Sequence, residues 1–259
     1  MIDLHCHILP GVDDGATAMT ESLRMAVCAY QDGIRCVVAT PHNGSGKYPT
    51  RAEVMEKTVE TVNAALAVKG IGLTVLPGME ARVTPDLLDR LLQKEVSTIN
   101  GGQYLLIELP APQVPAGFEI LLQQLVAHGF RPILAHPEKN FFIQEHVQYL
   151  YKLLLSFSPG DLLVQITADS LMDEAGRPAA KSAAIMLEHN LAHILATDAH
   201  SSQIRPPILS PAVSRTARVV GPDRARRMVL EIPLAVVEGR DASPYIEAPS
   251  NPRRWWRIL

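Results

Sequence analysis

The chain opens Met1-Ile2-Asp3-Leu4-His5-Cys6-His7, which places two histidines two positions apart in an apolar, extended stretch. On a strand, residues i and i+2 point to the same side. His5 and His7 can therefore offer two imidazoles to one cation. Residues of the same chemical kind recur behind other apolar runs: His42 after VVATP, Glu80 after LPGM, Glu108 after LLI, His136 after ILA, and Asp198 and His200 after ILAT. Mixed imidazole and carboxylate donors suit Mn, Fe or Zn rather than Mg or Ca alone. They are too many for one ion, which predicts a bridged cluster in which a carboxylate such as Glu80 touches two ions. Two ions a few Å apart can activate water and hold a transferring phosphoryl group.

The elements that must carry these side chains alternate in type. Strands are expected at residues 2–7, 34–40, 73–76, 104–107, 131–135, 162–166 and 193–197. Helices are expected at 20–31, 51–69, 86–94, 119–128, 144–155, 181–189, 210–219 and 222–230. The alternation implies a mostly parallel sheet with crossover helices. Seven strands without a domain break favour a barrel over an open sheet. Six of those strands end at or just before one of the donors. In a parallel barrel the C-terminal strand ends share one face, where active sites are built. His128, His146, His189 and His193 fall on helices or at a strand start and are set aside as surface or packing residues.

Composition narrows the classes of function. The chain has 259 residues, 47% hydrophobic and 20% charged, which suits a globular enzyme-like protein. A net charge of −3 gives no broad basic field, so nucleic acid is not an expected partner. Cys6, Cys28 and Cys36 are too few for a disulfide framework and fit a reducing compartment. Strand-like sequence from residue 2 leaves no room for a signal peptide, and no apolar run is long enough to cross a bilayer. A cytoplasmic location is expected. Residues 1–243 are expected to form one domain and 244–259 a Pro-rich tail. Its stretch Asn251-Pro252-Arg253-Arg254-Trp255-Trp256-Arg257 is basic and aromatic, and is expected to be frayed or packed on the body rather than a docking element.

The stretches MIDLHCHILPGVDDGA, VVATPHNGSGKY, LTVLPGMEARV, YLLIELP, PILAHPEKN, QITADSL and ILATDAHS carry a resemblance. In that order they resemble the PHP (polymerase and histidinol phosphatase) superfamily, and within it the bacterial PHP-type protein-tyrosine phosphatases of capsule and exopolysaccharide operons. The resemblance implies a distorted seven-stranded, TIM-like (β/α) barrel with two or three metal ions, often Mn2+, with Fe or Zn as alternatives. Position by position, it implies one ion on His5, His7, Glu80 and Asp198. A second would take Glu80, Glu108 and His136, and a third Asp14, His42 and His200. Asp14 enters only by resemblance, because in Asp13-Asp14-Gly15 it otherwise reads as a turn residue.

The implied activity is hydrolysis of phosphotyrosine on protein substrates by a metal-activated water. The implied partner is the C-terminal tail of a tyrosine autokinase of polysaccharide export. Asp198 or His200 could manage the leaving-group proton. Arg82, Lys139 and Arg205 are candidates to hold the substrate phosphate. The family usually has Arg where this chain has Lys139, which exchanges a planar fork for a point charge. No Cys-x5-Arg phosphatase motif is present, and Cys6 should point away from its neighbours into packing. Competing readings are a PHP phosphoesterase acting on a small molecule such as histidinol phosphate, a nuclease, and a non-catalytic metal-binding regulator.

Overall fold

A strand forms at each of the seven expected places, and two short strands, at 42–43 and 80–82, lie beyond the expected bounds. In a computed structural model of the chain, residues 1–44, 50–172 and 174–250 are described. The strands are β1 (Ile2–Cys6), β2 (Cys36–Ala39), β3 (His42–Asn43), β4 (Thr74–Pro77), β5 (Glu80–Arg82), β6 (Tyr104–Glu108), β7 (Arg131–Ala135), β8 (Leu163–Thr167) and β9 (Ile194–Ala196). All pair in parallel, as two sheets of order β1-β2-β4 and β3-β5-β6-β7-β8-β9. This differs from a single closed seven-stranded sheet, and local chemistry accounts for it. Pro41 lacks an N–H and separates β2 from β3. Gly78 separates β4 from β5 at a point of close approach, where an added Cβ would stand 2.7 Å from Val38 Cγ1. At the outer edges, Asp198 N donates to His5 O and His7 N to Ala199 O, both at 2.8 Å, so the β1 and β9 ends lie side by side.

The helices are α1 (Met19–Gln31), α2 (Ala52–Val68), α3 (Leu87–Leu92), α4 (Phe118–Ala127), α5 (Phe141–Glu145), α6 (Val147–Leu155), α7 (Ala168–Leu171), α8 (Arg177–Glu188), α9 (Ser210–Val220), α10 (Pro222–Val229) and α11 (Glu231–Val237). The helix expected at 144–155 is two, broken at His146, and α8 starts earlier than expected with Pro178 in its first turn. The sequence pattern missed α7, a single turn, and α11, whose Pro233 reads as a breaker but sits in the first turn, where no N–H is needed. Among the described residues no helix is long and apolar enough to cross a membrane.

The longer strands divide their apolar residues between two cores. Val37, Leu105, Leu134, Val164 and Leu195 join the large cluster under α1–α9, while Leu4, Val38, Leu106, Ile133 and Leu163 join a smaller one with Ile232 and Val236 of α11. Residues 244–250 lie against the body, with Tyr245 and Ile246 packed on the smaller core and Ser250 N donating to His189 O at 3.0 Å. The basic-aromatic stretch at 251–257 lies outside the described residues, as does 45–49 of the polar loop after His42.

Candidate metal centre

Three backbone irregularities aim the strand ends at one point. In β1, Asp3 pairs with Val37 and Cys6 with Ala39, so three residues of β1 span two of β2. That bulge sends Cys6 into the larger, helix-side core although Leu4, two residues earlier, lies in the smaller one. Burial pushes the Cys6 thiol well above its ordinary value, which fits a packing role. After β7 and β9, His136 (φ 30°) and Asp198 (φ 53°) adopt left-handed backbone, a conformation that costs a non-glycine residue energy and clusters at functional sites. Gly15 closes the loop after His7, because a Cβ there would stand 2.0 Å from His7 O.

All nine expected donors converge: five histidines (His5, His7, His42, His136, His200) and four carboxylates (Asp14, Glu80, Glu108, Asp198). Two buried carboxylates form the middle. His5 Nε2 lies 3.4 Å from Glu80 Oε2 and 3.3 Å from Asp198 Oδ1, and His7 Nε2 lies 3.5 and 3.4 Å from the same atoms. His136 Nε2 stands 2.8 Å from Glu80 Oε1, and His42 Nδ1 stands 3.0 Å from Glu80 Oε2. Asp14 Oδ1 sits 3.5 Å from both His42 Nε2 and His200 Nε2. The groupings differ in part from those the resemblance implies. His42 stands with Glu80 and Glu108 as well as with Asp14 and His200, and His136 stands with His5 and Asp198.

The donor chemistry fits divalent cations. Glu80 Oε2 is buried without a hydrogen-bond partner, although three ring nitrogens surround it. His5 Nδ1 donates to Gln165 Oε1 at 2.9 Å and His7 Nδ1 to Asp13 Oδ2 at 2.6 Å. With the hydrogen on Nδ1, each ring turns its Nε2 lone pair inward, and the two Nε2 atoms face each other 3.2 Å apart. The cluster also calls for positive charge. Burial opposes the charge on Glu80 and Asp198, but the surrounding basic groups, with His5 contributing most, outweigh it and hold both carboxyls well below their usual range. Burial likewise opposes a proton on His136, but Glu80 overrides it and lifts the imidazole to about 9. Glu108 moves the other way, raised by burial and by the neighbouring Glu80 charge. His200 is pushed down to about 4 by burial, with His7 adding to it.

The three expected phosphate-holding cations line this centre. Lys139 Nζ reaches Asp198 Oδ2 at 3.0 Å and Asp169 Oδ2 at 2.9 Å, and Arg205 Nη2 reaches Asp198 Oδ2 at 2.6 Å. Arg82 Nη1 stands 3.4 Å from Glu108 Oε2. His128, His146, His189 and His193 bond elsewhere, respectively to Gln124 O, Phe142 O, Ser250 Oγ and the Val164 N–H. Asp13, Gln165 and Asp169 escaped the sequence reading. Gln165 had a signal, a lone amide in the apolar β8; Asp13 was hidden by its neighbour Asp14.

A parallel α/β scaffold that gathers imidazoles and carboxylates at its strand ends defines the class: an α/β protein with a candidate His/Glu/Asp metal site. The chain belongs to the family described as "Capsular polysaccharide synthesis, CpsB/CapC", whose model matches residues 1–238. It is similar to tyrosine-protein phosphatase YwqE of Bacillus subtilis (strain 168), at 37% identity over 205 residues covering 79% of each chain. Tyrosine-protein phosphatase CpsB of Streptococcus agalactiae is 28% identical over 236 residues, 89% of this chain and 96% of that one. Among solved structures, one reported under "YwqE from Bacillus subtilis and CpsB from Streptococcus pneumoniae, unique metal-dependent tyrosine phosphatases" superposes with a TM-score of 0.91 at 32% identity, over 98% of this chain and 100% of that one. A D-hydantoinase superposes at 0.52 with 12% identity over 93% of this chain and 73% of that one, which is a likeness of fold alone.

Proposed function

We propose that this chain is a metal-dependent protein-tyrosine phosphatase acting in capsule or exopolysaccharide synthesis. The observation that carries the reading is the Glu80–Asp198 pair ringed by histidines, with Lys139 and Arg205 converging on Asp198, in a fold that superposes closely on metal-dependent tyrosine phosphatases. We take the strand sequence β1, β2/β3, β4/β5, β6, β7, β8, β9 as a distorted seven-stranded barrel, supported by the backbone bonds between the β1 and β9 ends. In this reading residues 1–243 form the catalytic domain, 244–259 a tail, and the protein works in the cytoplasm. Its substrate is a phosphotyrosine protein, the C-terminal tail of a tyrosine autokinase.

His5, His7, Asp14, His42, Glu80, Glu108, His136, Asp198 and His200 would hold two or three ions, Mn2+ first and Fe or Zn as alternatives. When bound, such ions acidify water and neutralise charge on phosphoryl oxygens. The protein side of the chemistry is positional. Asp13 and Gln165 fix the His7 and His5 rings through their Nδ1 atoms, and His200 Nδ1 donates to Asp198 O at 2.9 Å, which leaves its Nε2 free as a ligand. Lys139 and Arg205 supply positive charge where the phosphoryl oxygens gather, and Arg82 flanks them at Glu108. A phenolate needs little help to depart, and Asp198 or His200 would manage its proton.

The test is turnover of a phosphotyrosine peptide and of histidinol phosphate, each with Mn2+, after chelation, and in a His136→Ala variant, with bound metal quantified. Peptide hydrolysis lost on chelation and in His136→Ala is the expected result. Activity indifferent to both sinks the metal mechanism. Preference for histidinol phosphate would make it a small-molecule phosphoesterase, and metal content without turnover a regulator.

A further inference from the structure

A cleft of about 200 Å³ opens beside the candidate metal centre, between α7 and the start of α9. Two of its lining residues belong to the centre itself. Arg205 places Nη2 on Asp198, and Asp169 holds the Lys139 ammonium. Beyond that polar edge the wall turns apolar, through Met172, Pro206, Ile208 and Pro211. Met172 and Ile208 are 38% and 37% exposed, so neither is spent on closing the core. Among the described residues, the remaining charged group on the wall is Glu174. The cleft's lining, among the described residues, carries two carboxylates, Asp169 and Glu174, and its one cation, Arg205, is committed to Asp198, which disfavours a second phosphate there. Its surface calls for an uncharged, apolar group.

We propose that this cleft receives the aromatic ring of an aryl phosphate whose phosphoryl group lies at the metal centre, and so sets selectivity for aryl over alkyl phosphates. The proposal rests on the phosphatase reading above. The order of chemistry along the site matches the order of atoms along the substrate. Ring nitrogens and carboxylates come first, then the Lys139–Arg205 pair, then apolar wall; on the ligand, phosphoryl oxygens come first, then the ester oxygen, then the ring. An aromatic ring is flat and apolar, and Met and Ile walls with proline edges suit it through contact area rather than hydrogen bonds. An alkyl phosphate such as phosphoserine presents nothing to that wall.

The experiment uses the full-length Mn2+-loaded protein and the variants Met172→Ala and Ile208→Ser, checked for unchanged thermal unfolding. Calorimetry compares phenylphosphonate with methylphosphonate, and steady-state kinetics compares p-nitrophenyl phosphate with inhibition by inorganic phosphate. We expect the parent protein to bind phenylphosphonate about tenfold more tightly than methylphosphonate. Each variant should lose most of that margin and raise KM for p-nitrophenyl phosphate by about tenfold, with kcat and the phosphate inhibition constant unchanged. Unchanged phenylphosphonate affinity in both variants overturns the proposal. So does a parallel rise in the phosphate inhibition constant, which would place these residues in the phosphate grip, and so does an effect seen only with peptides. A parent protein that binds phenylphosphonate selectively but hydrolyses no aryl phosphate would uphold the cleft and sink the phosphatase reading.

Discussion

Asp13 accepts the His7 Nδ1–H at 2.6 Å, with both side chains fully buried. The same carboxylate oxygen accepts the His42 N–H at 3.2 Å, and Oδ1 accepts the Gly15 N–H at 3.0 Å. Asp13 thus orients one donor ring and ties down the backbone of another without being one of the nine donors itself. Removing such a partner of a ligating histidine costs metal affinity roughly 10- to 100-fold. Asp13→Ala should therefore weaken Mn2+ binding by about that factor while the apo fold persists, as read by calorimetry and circular dichroism. Parent-like affinity would leave Asp13 as a loop residue only.

Metal loading should release protons. Glu80 lifts His136 to about 9 against the effect of burial, so at pH 7 the metal-free protein carries a proton there that a ligand nitrogen must shed. Asp13, Asp198 and Glu80 likewise raise His7 although burial opposes them. Apparent Mn2+ affinity should then climb as pH rises from 6 toward 9. Calorimetric titrations in buffers of different ionisation enthalpy should report net proton release at pH 7; proton-neutral binding would contradict these assignments.

Lys139 bridges Asp169 and Asp198 with a single ammonium. Hydrogen bonds to charged groups contribute about 1.5–3 kcal/mol, so Lys139→Ala should raise KM and the inorganic-phosphate inhibition constant by roughly 10- to 100-fold. Lys139→Arg should recover most of the loss, because a guanidinium reaches phosphate with two parallel N–H groups. Inhibition by phosphate that ignores both substitutions would remove Lys139 from the phosphate grip.

Much of this was legible in the chain itself because the donors stand at strand ends, and apolar runs punctuated by Pro, Gly, His and Glu mark those ends directly. His5, His42, Glu80, Glu108 and His136 could be placed on one face from strand order alone. What escaped is what depends on backbone geometry that composition does not encode. The extra residue in β1 that puts Leu4 and Cys6 in different cores leaves no trace in the hydrophobic pattern. The left-handed turns at His136 and Asp198 fall on residue types that enter that region more readily than most, but the types alone do not mark which His or Asp will turn. Asp13 and Asp14 are neighbours of identical type, and only the folded loop shows one under His7 and the other beside His42 and His200. The breaks at Pro41 and Gly78 are visible as letters, but their consequence, two sheets where one was expected, needs the pairing.

His193 makes the acid stability of this fold testable at the opposite end of β9 from the metal centre. Its ring Nδ1 accepts the Val164 N–H at 3.0 Å while its backbone N–H donates to Val164 O at 2.9 Å, so the neutral ring is built into the β8–β9 pairing. Burial, reinforced by the nearby Arg224 charge, pushes the imidazole down to about 3. A folded value below the unfolded one means that the unfolded chain binds the proton more readily. The contribution is therefore fully present above about pH 6.5 and is lost as pH falls toward 3. Between pH 7 and pH 5 the loss amounts to about 2 kcal/mol, at about 1.4 kcal/mol per unit once His193 is protonated in the unfolded state. His193→Asn keeps an acceptor for the Val164 N–H but cannot take the proton. Urea unfolding of the chelated protein at pH 7 and pH 5 should show the parent losing about 2 kcal/mol more than this variant. Equal losses would mean that His193 is not held neutral in the folded protein.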